Sequence, residues 1–276
     1  MTEIENLHRK VRHYCLDNFD FWSRKYQEVR NSRPQTFEYT YEKGDYDIFP
    51  RYQALEALLQ GVEEVNPKSI NSIDEVKFQI IDTALRTETI FTKDNHGTTK
   101  NAIDDERKKF KTFVESISLS DLNNVPELFY RRKLSKEESE VLKKRLLEKE
   151  SVDYGGFWFP EKLIKENEIE YLIFDEDEIL EEEESSLNQI IINEIGNKYL
   201  VFNEDETAYE LENDTFDIYN LNTESYLTDK DFNWLIYYSH EDFYIIKSEV
   251  MKSKIVKEFP KLIDSMNQII KKENGS

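Results

Sequence analysis

The chain has 276 residues, of which 58 are acidic and 37 basic, for a formal charge of −21. A lone cysteine, Cys15, excludes intrachain disulfides and multi-cysteine metal clusters. Only seven glycines occur, too few and too scattered to build a phosphate-cradling loop or a dinucleotide fingerprint.

Hydrophobic residues make up 38%, but 17 Phe, 16 Tyr and 3 Trp supply large rings. Rings of that size bury roughly 150–250 Å² each, enough to build a core from few aliphatics. The polar start Met1-Thr2-Glu3-Ile4-Glu5-Asn6 carries no leader pattern, and no apolar run approaches the roughly 18 residues of a membrane span. A cytoplasmic protein without membrane contact is expected.

In chain order, the first elements read as helices. Ile4, Leu7, Val11, Cys15, Phe19, Trp22 and Tyr26 recur at three and four residues and form one apolar stripe, which Pro34 ends. Cys15 on this stripe reads as a small buried hydrophobe. His13 and Asp17, four apart, share a face but lack a third metal ligand. A second helix is expected from Pro50 to Val65 and a third behind a capping box at Ser72 and Glu75. His96 sits in a turn, Lys93-Asp94-Asn95-His96-Gly97, ahead of a basic helix near Glu106 to Val114. Ser135 and Glu138 form a second capping box, opening a helix that carries Val141, Leu142, Leu146 and Leu147.

Beyond Ser151 the pattern changes. Strands are expected at Tyr171 to Phe174, Lys198 to Phe202, Thr207 to Leu211 and Thr215 to Tyr219. Phe232 to Tyr238 and Phe243 to Ile246 read as a hairpin. Both faces of its arms are apolar, as in a strand pair covered on both sides. A helix from Glu249 to Ile270, interrupted at Pro260, provides one cover. The expected architecture is α+β: a mainly helical lobe over residues 1–150, then an acidic lobe over 151–276 with an antiparallel sheet and a C-terminal covering helix.

Charge divides the same way. Residues 1–150 hold 26 bases and 28 acids, whereas residues 151–276 hold 11 bases and 30 acids. Eleven acids and no base lie between Glu166 and Glu184, and acidity resumes at Glu204-Asp205-Glu206. This register fails as a calcium loop, because Leu180 stands where glycine is needed and Ser186 where glutamate is needed. Carboxylates at this density repel one another, so the run reads either as a solvated acidic loop or as a surface complementary to a cationic partner. The candidate partner-binding residues are Asp175, Glu176, Asp177, Glu178, Glu181, Glu204, Asp205 and Glu206. Free nucleic acid is disfavoured as a ligand, since its phosphates would be repelled.

Catalytic constellations are sparse. Ser239-His240-Glu241 cannot relay a proton as three consecutive residues, because neighbouring side chains on a strand alternate faces and those in a turn fan outward. Arg131, Arg132 and His240 remain as an alternative anionic site if the fold brings them together. No metal ligand set and no cofactor motif is found.

Tyr130-Arg131-Arg132-Lys133-Leu134-Ser135 with Glu138, the segment Gly155-Gly156-Phe157-Trp158-Phe159-Pro160 and the hairpin Trp234 to Glu241 together resemble uncharacterised bacterial proteins encoded beside toxin and defence genes. The resemblance covers about a sixth of the chain and carries no catalytic residue. With the charge pattern it implies a non-enzymatic bacterial protein that binds another protein, of the immunity or antitoxin type, docking a cationic toxin or nuclease. Two alternatives stay open: an enzyme or effector of a defence system acting on an anionic substrate, and an inhibitor that mimics DNA.

Overall fold

The computed structural model describes residues 2–34, 41–93, 95–149, 171–204, 207–213, 216–221, 224–239, 242–264 and 266. The chain divides into two compact units, Met1–Leu128 and Phe129–Ser276. The structural division therefore falls ahead of the compositional break at Ser151. Its cause is Arg131–Lys133, which pairs with a strand of the second unit and carries the following helix with it.

The described residues of the first unit form four α-helices: α1 (Glu3–Asn31), α2 (Asp45–Glu64), α3 (Ile73–Arg86) and α4 (Gly97–Ser116). Thr2 and Glu5 cap α1 reciprocally, and the helix stops just before Pro34. Leu7, Val11 and Cys15 of α1 meet Leu55, Leu58 and Val62 of α2, Val76 and Ile80 of α3, and Phe110 and Val114 of α4. The period-3.6 stripes read from the sequence are these core faces.

Helix α2 starts at Asp45 and not at Pro50. The Asp45 carboxylate accepts from both terminal nitrogens of Arg33 and from the Glu42 amide, which fixes the first turn. Pro50 has no amide to offer the Tyr46 carbonyl, and that oxygen instead accepts from Thr99 Oγ1 at 3.5 Å. At α3 only half of the expected box forms. Ser72 accepts from the Glu75 amide at 3.5 Å, while the Glu75 carboxylate turns to Gln79.

Arg12, Glu63 and His8 are buried in this unit and find partners. Arg12 and Glu63 pair at 2.9 Å, both almost fully buried. The His8 ring donates from Nε2 to the Val62 carbonyl at 2.8 Å, and burial lowers its pKa to about 4, so it is neutral at pH 7. Burial likewise pushes the Cys15 thiol up, away from reactivity.

The second unit is built on one seven-stranded antiparallel sheet. Its strands are β1 (Arg131–Lys133), β2 (Tyr171–Asp175), β3 (Lys198–Asn203), β4 (Ala208–Glu212), β5 (Ser225–Thr228), β6 (Leu235–Ser239) and β7 (Phe243–Lys247). Their order across the sheet is β1-β4-β3-β5-β6-β7-β2. Among the described residues its α-helices are α5 (Lys136–Lys149), α6 (Glu181–Ile192) and α7 (Glu249–Glu258). Alternation along β3 assigns the two faces: Leu200 and Phe202 join Leu134 and Leu146 beside α5, whereas Tyr199 and Val201 join Leu187, Ile191, Met251 and Ile255 of α6 and α7. The sheet is thus covered on both sides, as the apolar hairpin implied. Ser135 and Glu138 complete the capping box of α5, and the chain after α7 breaks at Pro260.

Three elements differ from expectation. The described part of the acidic run does not form a loop: Glu176–Glu178 makes a short 3-10 turn and α6 follows, with four glutamates in its first turn where the helix dipole favours them. In place of a strand at Thr215 to Tyr219, the described part holds a 3-10 turn at Ile218–Asn220, pinned by the Asp217 carboxylate on the Tyr219 amide. Strand β5 arises where no strand was expected; its ladder joins β3 to β6.

Gly61 sets the approach of α2 to α3. A Cβ there would lie 2.5 Å from Ala84 Cα and 2.9 Å from Ala84 N, both backbone atoms. Gly61→Ala is expected to destabilise by about 1–3 kcal/mol through overpacking, whereas Gly44→Ala, which meets nothing within 4 Å, should change stability by under about 0.5 kcal/mol. Urea denaturation of the two variants measures the contrast.

Candidate functional site

The sheet register collects acidic groups at one end of the second unit. Asn203 lies opposite Ser225, Ser225 opposite Tyr238, Tyr238 opposite Tyr244, and Tyr244 opposite Phe174. The residues that follow or precede these positions, Glu204, Glu224, Asp242 and Asp175, therefore stand along a single end of four neighbouring strand connections. The other end begins or closes strands with Lys198, Lys247 and, just past β5, Lys230. Acids stand beside the bases at that end, Glu212 opposite Lys198 and Asp229 and Asp231 on either side of Lys230.

At the acidic end a cleft of about 580 Å³ opens, lined by Asp175, Glu176, Asp177, Ile179, Glu184, Tyr219 and Asp242. Five of these are carboxylates, and no lysine or arginine is among the described lining residues. Backbone geometry holds the group together. The Glu176 amide donates to the Asp242 carbonyl at 2.8 Å, and Asp242 adopts φ +61° to turn β6 into β7, a conformation that Asp tolerates better than most residues. Tyr238 donates from its hydroxyl toward Asp242 Oδ1 at 3.4 Å.

Titration follows from this crowding. Partial burial, then the charges of Asp242 and Glu184, raise the Glu176 carboxyl above its ordinary value. Burial together with the charges of Glu184 and Glu176 also pushes the Tyr219 phenol up, and its hydroxyl oxygen is buried without a hydrogen-bond partner. Such a cleft holds uncompensated negative potential, which favours a cation entering it.

Not all acids of the unit face outward. Glu183 pairs with Lys261, and Glu194 with Lys254. Glu210 on β4 is buried among three cations: Lys198 at 2.9 Å, Arg132 at 3.3 Å and Lys230 at 3.3 Å. Burial alone would raise its pKa, but the Lys198 hydrogen bond and the three charges outweigh it and hold the carboxyl at about 2.

Of the sequence-derived partner residues, the cleft contains Asp175, Glu176 and Asp177. Glu178 and Glu181 lie on the adjoining turn and first helical turn without lining it, and Glu204 stands exposed on the same sheet end. Asp205 and Glu206 lie outside the described residues. Glu184, Tyr219 and Asp242 complete the cleft and were not singled out. Asp242 was legible as the tip of the predicted hairpin, and Glu184 as a member of the acidic run.

The alternative anionic site is not assembled from its arginines. Successive residues of β1 diverge: Arg131 stacks on the Tyr209 ring at 4.1 Å, while Arg132 is committed to Glu138 and Glu210. His240 lies outside the described residues. His13 is engaged with the Pro126 carbonyl at 3.1 Å. Among the described residues no group of three or more His, Cys, Asp or Glu is placed to hold a metal ion, and no described helix is long and apolar enough to cross a membrane.

No protein-family model matches the chain, and neither the curated proteins nor the solved structures contain a match. The functional reading therefore rests on the site itself.

The raised Glu176 pKa gives a signed test. A carboxyl whose folded pKa exceeds its unfolded value opposes folding above that folded pKa and ceases to do so as the pH falls toward the unfolded one. Glu176→Gln is expected to stabilise the protein at pH 7 by no more than about 1 kcal/mol, given solvent screening. The gain should vanish near pH 4, as read by urea denaturation across that range.

Proposed function

We propose that this chain is a non-enzymatic protein-binding protein of the bacterial cytoplasm, an immunity- or antitoxin-type inhibitor that docks a cationic partner on the acidic end of its second unit. The observation that carries the reading is the cleft bounded by Asp175, Glu176, Asp177, Glu184 and Asp242, with no basic side chain among its described lining residues. A lysine or arginine of the partner entering this cleft would meet several carboxylates at once and the face of Tyr219, a combination that supports a hot spot. Glu204 and the flanking acidic turns extend the negative field over the same end, which accelerates encounter with a basic surface.

The mechanism is blockade. An acidic surface seated on the basic cleft of a nuclease or comparable toxin excludes that protein's own anionic substrate, and no covalent step is required of this chain. The enzyme alternative is weakened by the commitment of Arg132 to two carboxylates and of Arg131 to a ring.

Salt supplies the test. Immobilised protein is expected to retain a basic partner from a lysate of the native host at about 0.05 M salt and to release it near 1 M, where the Debye length shrinks to about 3 Å. Asp177→Lys combined with Glu184→Lys should abolish retention while leaving the folding transition in place. Retention that persists through both the high-salt wash and the charge reversal would overturn the proposal.

A further inference from the structure

A second concavity, of about 530 Å³, lies against the opposite face features of the same unit, between α5, the sheet and the β5–β6 loop. Its apolar lining is Leu134 after β1, Val141 and Leu142 on α5, and Leu200 on β3. Val141 is 55% exposed here, while Leu142 on the same helix is half-buried and Leu146 buried. The volume falls within the range of small-molecule sites, about 300–1,000 Å³, which combine apolar walls with a few placed polar groups.

Cations surround it. Arg132, Arg145 and Lys230 line the groove, Lys198 reaches its Glu210 from β3, and the Lys149 ammonium donates to the carbonyls of Asp231 at 2.9 Å and Phe232 at 2.5 Å. The lining itself holds three of these cations, Arg132, Arg145 and Lys230, and four carboxylates, Glu137, Glu138, Glu210 and Asp231. Two of the four are neutralised inside by Arg132, Lys198 and Lys230. Glu137 and Asp231 are exposed at the lip, where water and salt screen them.

Arg145 is the distinctive group. It is exposed and stacks over the Phe232 ring at 5.2 Å, and no carboxylate of the described residues lies within ion-pair distance of it. The loop beneath is rigidly set: Phe232 is held at φ +56°, Thr228 Oγ1 donates to the Trp234 carbonyl at 2.6 Å and the Asn233 amide to Asp229 Oδ1 at 2.7 Å. A bulky ring in left-handed backbone is strained, and it stays so only because its surroundings fix it. The cation over that ring is thereby placed beside an apolar wall.

We infer that this groove binds a small anionic amphiphile, an alkyl or aryl carboxylate whose apolar body lies on Leu134, Val141, Leu142 and Leu200 and whose charged head meets Arg145. The site is separate in residues from the acidic cleft and does not depend on the docking proposal.

Two probes test it: the aryl sulfonate 8-anilinonaphthalene-1-sulfonate, followed by fluorescence, and dodecanoate, with dodecanol as its uncharged counterpart, as competitors. Saturable binding at one site, displaced by dodecanoate far better than by dodecanol, is expected. Arg145→Gln should weaken dodecanoate about tenfold or more through loss of a charge-assisted contact. Val141→Trp, which fills the mouth from an exposed position, should abolish binding of both probes with the thermal transition intact. Equal displacement by alcohol and carboxylate, binding indifferent to Arg145→Gln, binding that survives Val141→Trp, or no binding at all would each overturn the inference.

Discussion

Glu210 is the interaction on which the second unit depends. It is a buried carboxylate on β4, one strand in from the edge of the sheet, and it is tolerated there because Arg132 of β1, Lys198 of β3 and Lys230 of the β5–β6 loop converge on it. Burying one charge with several partners is costly to undo, since removing any partner strands the rest. The arrangement fastens the three-residue strand β1, otherwise too short to hold itself, to β4. Through Arg132 and Glu138 it also fixes the start of α5. The stabilisation it gives is present above the ordinary glutamate range and is lost only as the pH falls toward about 2.

This hub also accounts for the distribution of charge. Arg132, Lys198 and Lys230 are spent on Glu210, Lys149 on carbonyls of the β5–β6 loop, and Lys254 and Lys261 on Glu194 and Glu183, while the acids lining the Asp175 to Asp242 cleft have no base among the described residues beside them. A protein that needed only solubility could have mixed the signs. A cleft whose charged lining is carboxylate alone attracts cations, and the raised Glu176 carboxyl is the physical trace of the repulsion it carries.

Much of this was readable from residue order, and the part that was not has definite causes. Helices α1 and α3, the Ser135 box and the β6–β7 hairpin follow from local periodicity and capping, which act over a few residues. The start of α2 was missed because an Arg33 to Asp45 pair and a Thr99 hydroxyl, both non-local, settle it. Strand β1 was hidden in a basic tripeptide that only its partner β4 makes extended, and with it the true unit boundary. The acidic run looked like a loop because repulsion was weighed without the helix dipole that α6 supplies. At the site, three of the eight candidate carboxylates line the cleft; Ile179 and Glu184 come from the same acidic segment, and Tyr219 and Asp242 from turns more than thirty residues downstream, which no short-range pattern connects.

The strand order has a consequence for biosynthesis. Both outermost strands, β1 and β2, are made before β4 and β7, the neighbours they require. A ribosome emitting this chain therefore releases two margins of a sheet whose interior does not yet exist, and β2, with Tyr171 to Phe174 all buried in the finished protein, must wait for some seventy further residues. Sequence-distant pairing of this kind slows closure. The dense negative charge translated immediately after β2 keeps like chains apart during that interval, so the same carboxylates that shape the mature surface also guard the nascent one from premature association.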